Sequence, residues 1–145
     1  MSIRVGLNGF GRIGRNILRA AAKMDTELEF VLINDLTDLD SLATLLKYDS
    51  VHGRFPGEVS VDGGNLVVDG KKIQFSSEKD PASLPWKNLS VDAVIEATGV
   101  FRHREPLEKH LAAGAPQVIL TVPAKDQIDA TIVLGVNGDI LTGEE

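Results

Sequence analysis

Three glycines at fixed spacing, Gly9-Phe10-Gly11-Arg12-Ile13-Gly14, are the residues of this 145-residue chain best suited to chemistry. The first permits a sharp turn. The second lets the backbone approach a bulky anion with no Cβ in the way, and the third lets a following helix lie close on the preceding strand. Free N–H groups at the helix start, around Arg12 and Ile13, then meet a phosphate with the positive end of the helix dipole. Asp35 stands 21 positions after Gly14. Its carboxylate suits the hydroxyls of an adenosine ribose and repels a ribose 2′-phosphate, and Leu36, the next residue, supplies no offsetting charge. Singly, the glycines also suit an ordinary tight turn, and Asp35 a helix cap or a solvated loop acid. In this order they point to a dinucleotide, NAD rather than NADP.

Other chemistries find less support. Tyr48 is the only tyrosine, and His52 rather than lysine stands four residues on, so a Tyr-x-x-x-Lys reductase pair is missing. Gly70-Lys71-Lys72 resembles the end of a P-loop, but Asn65 replaces its first glycine and Lys72 its Ser/Thr. His103 and His110, with Glu105 and Glu108 nearby, allow a metal site in principle; a solvated helix face is the simpler expectation. Arg12, Arg15 and Arg19 form a basic helix stripe, suited to steering anions or to solvation alone. Asn88-Leu89-Ser90 matches a glycosylation sequon, with no secretory start to make use of it. No catalytic residue and no metal ligand is assigned.

Positioning the glycine loop requires a strand before it and a helix after it, and the chain reads that way. Ile3 to Asn8 is a β-type run, and Ile13, Ile17, Leu18 and Ala21 recur at helical spacing. Leu28 to Ile33 is a second buried-type strand ending at Asn34-Asp35. A helix with an apolar face from Leu39 to Leu46 follows, with Asp38 as its N-cap. Glu58 to Asp62, Leu66 to Val68 and Lys71 to Phe75, separated by Gly-Gly and Asp-Gly turns, predict an antiparallel meander beside the main sheet. Regular structure resumes at Val91 to Gly99, then a helix with Pro106 near its start and Gly114 near its end. Strands are predicted over Gln117 to Val122 and Ala130 to Val136. The fold class is α/β: a Rossmann-type, doubly wound, mainly parallel sheet with a small antiparallel excursion.

Composition sets outer limits. Fifteen Lys and Arg against 21 Asp and Glu give a net charge of −6, which supplies neither a broad attraction for nucleic acid nor a polybasic patch for anionic lipid. The absence of cysteine excludes a thiol nucleophile, a disulfide framework and a thiolate metal site within this chain. Apolar runs are too short to span a bilayer. The start, running straight into Ile3-Arg4-Val5, has no signal-like character, so a cytoplasmic location is expected.

The residues closely resemble the NAD-binding half of phosphorylating glyceraldehyde-3-phosphate dehydrogenases. The resemblance is carried by Asn8-Gly9-Phe10-Gly11-Arg12-Ile13-Gly14-Arg15, Asn34-Asp35-Leu36, Lys47-Tyr48-Asp49-Ser50-Val51-His52-Gly53-Arg54-Phe55, Ala97-Thr98-Gly99-Val100-Phe101, Pro123-Ala124-Lys125-Asp126 and Gly135-Val136-Asn137. It implies an NAD site formed by Asn8, Gly9, Phe10, Gly11, Arg12, Ile13, Asn34 and Asp35. Lys79, Thr98 and Gly99 lie on the adenine side, Phe101 walls the pocket, and Thr121 stands near the nicotinamide. Thr121 replaces the family's usual serine and keeps its hydroxyl. Erythrose-4-phosphate relatives tend to carry Glu in place of Asp35, so the glyceraldehyde-3-phosphate branch fits better.

In this family a cysteine attacks the aldehyde and a histidine acts as base. Neither has a counterpart in this chain. Residues 1–145 are therefore expected to form one NAD-binding domain without the catalytic domain, binding NAD and catalysing nothing alone. The surface left by the missing half, including a C-terminal helix that packs back in this family, is expected to favour self-association. Alternatives are a half-enzyme working with a separate catalytic domain, the cofactor domain of an erythrose-4-phosphate dehydrogenase relative, and a noncatalytic interaction module.

Overall fold

A computed structural model describes all residues from Met1 to Glu145. Strand β1 (Ile3–Asn8) leads through the glycine loop into α1 (Arg12–Met24), and β2 (Leu28–Asn34) returns beside β1. Helix α2 (Leu39–Lys47) is capped by Asp38, whose carboxylate accepts from the Ser41 N–H at 2.9 Å. A hairpin of two-residue strands, β3 (Tyr48–Asp49) and β4 (Gly53–Arg54), follows. Then come β5 (Val59–Asp62), β6 (Asn65–Val68) and β7 (Lys71–Ser76), β8 (Ala93–Glu96), α3 (Arg104–Ala112) and β9 (Val118–Leu120).

The main sheet has seven strands in the order β5-β6-β7-β2-β1-β8-β9. From β7 to β9 every pairing is parallel; β5, β6 and β7 pair antiparallel. The meander is thus part of the main sheet, because β7 continues it along the free edge of β2. The chain leaves β1 toward β2 on one side and later places β8 on the other, so a crevice opens above the carboxyl ends of β1 and β8, as doubly wound sheets require at such a switch point.

Both faces are covered, which explains the nearly continuous apolar strands. On one face Leu7, Ile33, Leu66 and Ile73 pack with Phe10, Leu18, Leu42, Leu46 and Phe55. On the other, Leu32, Val94 and Val91 surround Trp86, which is fully buried. Gly6 of β1 lies beneath the Trp86 ring, where a Cβ would overlap the indole.

The strand predicted over Ala130 to Val136 does not form. This segment makes turns, with Val133, Leu134 and Val136 exposed. Its hydrogen bonds close locally: Val133 N–H donates to Asn137 Oδ1 at 2.7 Å, and Asn137 Nδ2 donates to the Thr131 carbonyl at 2.9 Å. Apolar, β-branched composition does not by itself make a strand: the outer edge of β9 is unpaired, but this segment satisfies its backbone through local turns and the Asn137 amide instead.

Candidate nucleotide-binding site

The glycine loop turns sharply at Gly9, whose φ of +94° belongs to the region glycine favours. A Cβ there would lie 2.7 Å from the Thr98 nitrogen, so the loop after β1 and the loop after β8 touch backbone to backbone. Gly14 packs the first turn of α1 onto the Gly9 carbonyl, leaving no room for a methyl group. Gly11, the N-cap of α1, has open space where a Cβ would stand. No side chain caps this helix, and its first turn carries no acid. The N–H groups of Gly11, Arg12, Ile13 and Gly14 find no acceptor within the chain. An uncapped, uncrowded helix start is a ready anion site.

Asp35 follows β2 across the crevice and is half-buried. Its carboxylate accepts from the Phe10 N–H at 2.7 Å and the Thr37 N–H at 2.9 Å, so it also fixes the glycine loop. Two acceptor oxygens leave further lone-pair positions for hydroxyl donors. Leu36 beside it is exposed. Thr98 is half-buried in the crevice wall, and Gly99 and Val100 are exposed. Phe101 is half-buried. Thr121, just beyond β9, donates its hydroxyl to the Glu96 carbonyl at 3.2 Å. Lys79 is exposed at the same end of the sheet, beside Glu78, whose backbone is held by the Asn34 side chain.

Phe10, Asn8 and Asn34 lie differently from the rest. The Phe10 ring is buried in the core, leaving only backbone to the crevice. Asn8 and Asn34 are buried as well, and their amides face protein. The strand register aligns Ser76, Asn34, Asn8 and Glu96, the last residues of four adjacent parallel strands. These side chains bond in a row: Ser76 Oγ donates to Asn34 Oδ1 at 2.7 Å, Asn34 Nδ2 to Asn8 Oδ1 at 2.8 Å, and Asn8 Nδ2 to Glu96 Oε1 at 2.5 Å. The row continues off the sheet through His110 to Trp86. His110, expected on a solvated helix face, is fully buried. Glu96 was not among the expected site residues. Its only signal in the sequence is an acid closing the otherwise apolar run Val94-Ile95, directly before Ala97-Thr98-Gly99.

The basic stripe is also engaged with protein. Arg12 pairs with Asp49 of the β3–β4 hairpin. Arg15 donates to the Phe10 carbonyl at 3.0 Å. Arg19 donates to the carbonyls of Leu46 and Gly53 and lies over the Phe55 ring, 5.5 Å from its centre. The Arg12 guanidinium, aided by the His52 N–H, holds the Asp49 carboxyl well below the usual carboxylate range. Burial, then the adjacent Arg12, lowers Arg15 from the ordinary arginine value. A cavity of about 1090 Å³ lies away from the crevice, beside the carboxyl end of α1 and the meander, lined by Leu18, Phe30, Ile73, Arg4 and Glu29 among others. It presents no helix start.

Residues 3–104 match the family described as the NAD binding domain of glyceraldehyde 3-phosphate dehydrogenase. The chain belongs to this family. As a member of it, this glyceraldehyde 3-phosphate dehydrogenase NAD-binding domain has NAD as its cofactor, and the uncapped helix start, the open Gly11 and the acid after β2 fit that group. The chain is 58% identical over 139 residues to a glyceraldehyde-3-phosphate dehydrogenase of Geobacillus stearothermophilus, covering 96% of this chain and 41% of that protein. It is 56% identical over 142 residues to one of Thermotoga maritima, covering 97% of this chain and 42% of the relative. To a cytosolic glyceraldehyde-3-phosphate dehydrogenase of Trypanosoma brucei brucei it is 53% identical over 144 residues, covering 99% and 43%. The NAD-binding domain thus spans less than half the length of these relatives. No helix is long and apolar enough to cross a membrane.

Proposed function

We propose that residues 1–145 act as the cofactor half of a phosphorylating aldehyde dehydrogenase acting on glyceraldehyde 3-phosphate, in which this chain holds NAD and another part holds the substrate. The observation that carries this reading is the run of N–H groups from Gly11 to Gly14 without an acceptor in the chain, with open space at Gly11 and with Asp35 close beside the loop. These N–H groups would hold the pyrophosphate, with Asp35 taking the adenosine ribose hydroxyls and disfavouring a 2′-phosphate. Lys79, Thr98, Gly99 and Phe101 would border the adenine side and Thr121 the nicotinamide side, while Asn8, Phe10 and Asn34 would act by fixing the backbone around them. NAD, when bound, supplies the hydride acceptor. With no cysteine in its 145 residues, the chain offers no thiol to attack an aldehyde, and it is expected to be inactive alone.

A relative named as cytosolic supports a cytoplasmic location. The exposed Val133, Leu134 and Val136 support self-association of the chain by itself. The acidic balance gives no support to nucleic acid or anionic membranes as partners. Calorimetry tests the reading: NAD and ADP-ribose are expected to bind in the micromolar range, NADP at least tenfold more weakly, and Asp35→Ala to weaken ADP-ribose at least tenfold. Absence of binding of NAD, ADP-ribose or AMP at millimolar ligand would overturn it.

A further inference from the structure

We infer that Glu96 is the positioning residue of the nucleotide crevice: one buried carboxylate ties the loop after β1 to the loop after β8, and a Trp86–His110 pair presents it with a donor of fixed tautomer. The inference rests on the nucleotide reading above. Glu96 is fully buried. Its Oε1 accepts from Asn8 Nδ2 at 2.5 Å and faces His110 Nε2 at 3.0 Å; its Oε2 accepts from the Thr98 N–H at 3.0 Å and the Thr98 hydroxyl at 2.6 Å. Asn8 immediately precedes Gly9, and Thr98 is the residue whose backbone Gly9 touches. Both walls of the crevice are therefore referred to a single side chain.

The proton on His110 follows from its other neighbour. Trp86 Nε1–H, which can only donate, points at His110 Nδ1 at 3.0 Å. Nδ1 must then be the acceptor, so the ring is neutral and its proton lies on Nε2, directed at Glu96. Donors converge on both Glu96 oxygens, the arrangement an ionised carboxylate satisfies fully. No Lys or Arg is among its partners, so this buried charge is held by hydrogen bonds alone. Glutamine at the same position would turn one acceptor into an NH2 group facing a donor, and a buried mismatch of that kind is resolved by moving the loops. A purely structural polar core would affect stability without singling out the nucleotide.

The test uses the ¹⁵N-labelled 145-residue chain and two variants. Glu96→Gln is expected to weaken ADP-ribose at least tenfold by calorimetry, in a protein that keeps its circular dichroism and amide dispersion. Without ligand, it should also speed exchange of the Thr98 amide at least tenfold. In the wild type at neutral pH, long-range ¹H–¹⁵N spectra should show His110 neutral with its proton on Nε2. Trp86→Phe, which removes only the indole N–H and some volume, should abolish that single tautomer and weaken ADP-ribose about threefold. If Glu96→Gln fails to fold, the wild-type tautomer and Trp86→Phe decide. Glu96→Gln binding within twofold of wild type, unchanged Thr98 exchange, or His110 protonated on Nδ1 would each overturn the inference. If the wild type itself binds no ADP-ribose, the nucleotide reading fails, and Thr98 exchange then decides whether Glu96 holds the loops.

Discussion

An alanine at Gly11 gains a methyl group that meets no protein atom, whereas at Gly9 it would be forced into a left-handed backbone at φ +94° and against the Thr98 backbone. Gly11→Ala should therefore change stability by less than about 1 kcal/mol, while filling the space a pyrophosphate needs and weakening ADP-ribose at least tenfold. Gly9→Ala should cost about 2 kcal/mol or more, from φ strain together with the clash. Urea midpoints and calorimetry on the two variants check this; equal destabilisation by both would show that Gly11 is structurally confined. The turn at Gly9 and the close packing at Gly14 were readable from their spacing. The tasks of Asn8 and Asn34 were not, because an amide at a strand end looks the same whether it faces ligand or, as here, the buried row leading to Glu96.

Helix α1 is fastened to the β3–β4 hairpin and the end of α2 by Arg12 and Arg19, and to the glycine loop by Arg15. The Arg12–Asp49 pair makes this fastening pH-dependent. Because the folded Asp49 carboxyl titrates below its ordinary value of 3.8, its contribution is fully present above that pH and is lost as pH falls through the lower, folded value. Asp49→Asn should therefore lower the thermal midpoint at neutral pH, with the gap to wild type closing as pH drops below about 3.8. A gap independent of pH would remove ionisation from the explanation. At this scale period was a good guide: β1, α1, β2, α2 and the three meander strands appear where apolar spacing predicts them, since each buries apolar side chains in the core, though the meander joins the main sheet rather than lying beside it. The hairpin was missed because strands of two residues carry no period. The strand over Ala130 to Val136 was over-read because composition does not record that the Asn137 side chain takes up the backbone groups of this segment in local turns.

Across the whole molecule, the sheet order gathers residues from four strands at one end, and this explains why the crevice was legible while its support was not. The glycine spacing and Asp35 belong to one local unit, β1-α1-β2, whereas Glu96, His110 and Trp86 meet only after the chain has crossed the sheet. The exposed Leu134 and Val136 carry a separate expectation. Sedimentation of the chain alone should show concentration-dependent association, reduced by Leu134→Glu with Val136→Lys; a monomer at all concentrations would count against self-association. The central claim is where the nucleotide lies, and the most direct measurement is titration of the ¹⁵N-labelled chain with ADP-ribose. Shifts are expected at the amides of Gly11 to Gly14, at Asp35 and Leu36, and at Thr98 and Gly99. Unchanged spectra at millimolar ADP-ribose, or shifts confined to the cavity around Leu18, Phe30 and Ile73, would contradict it.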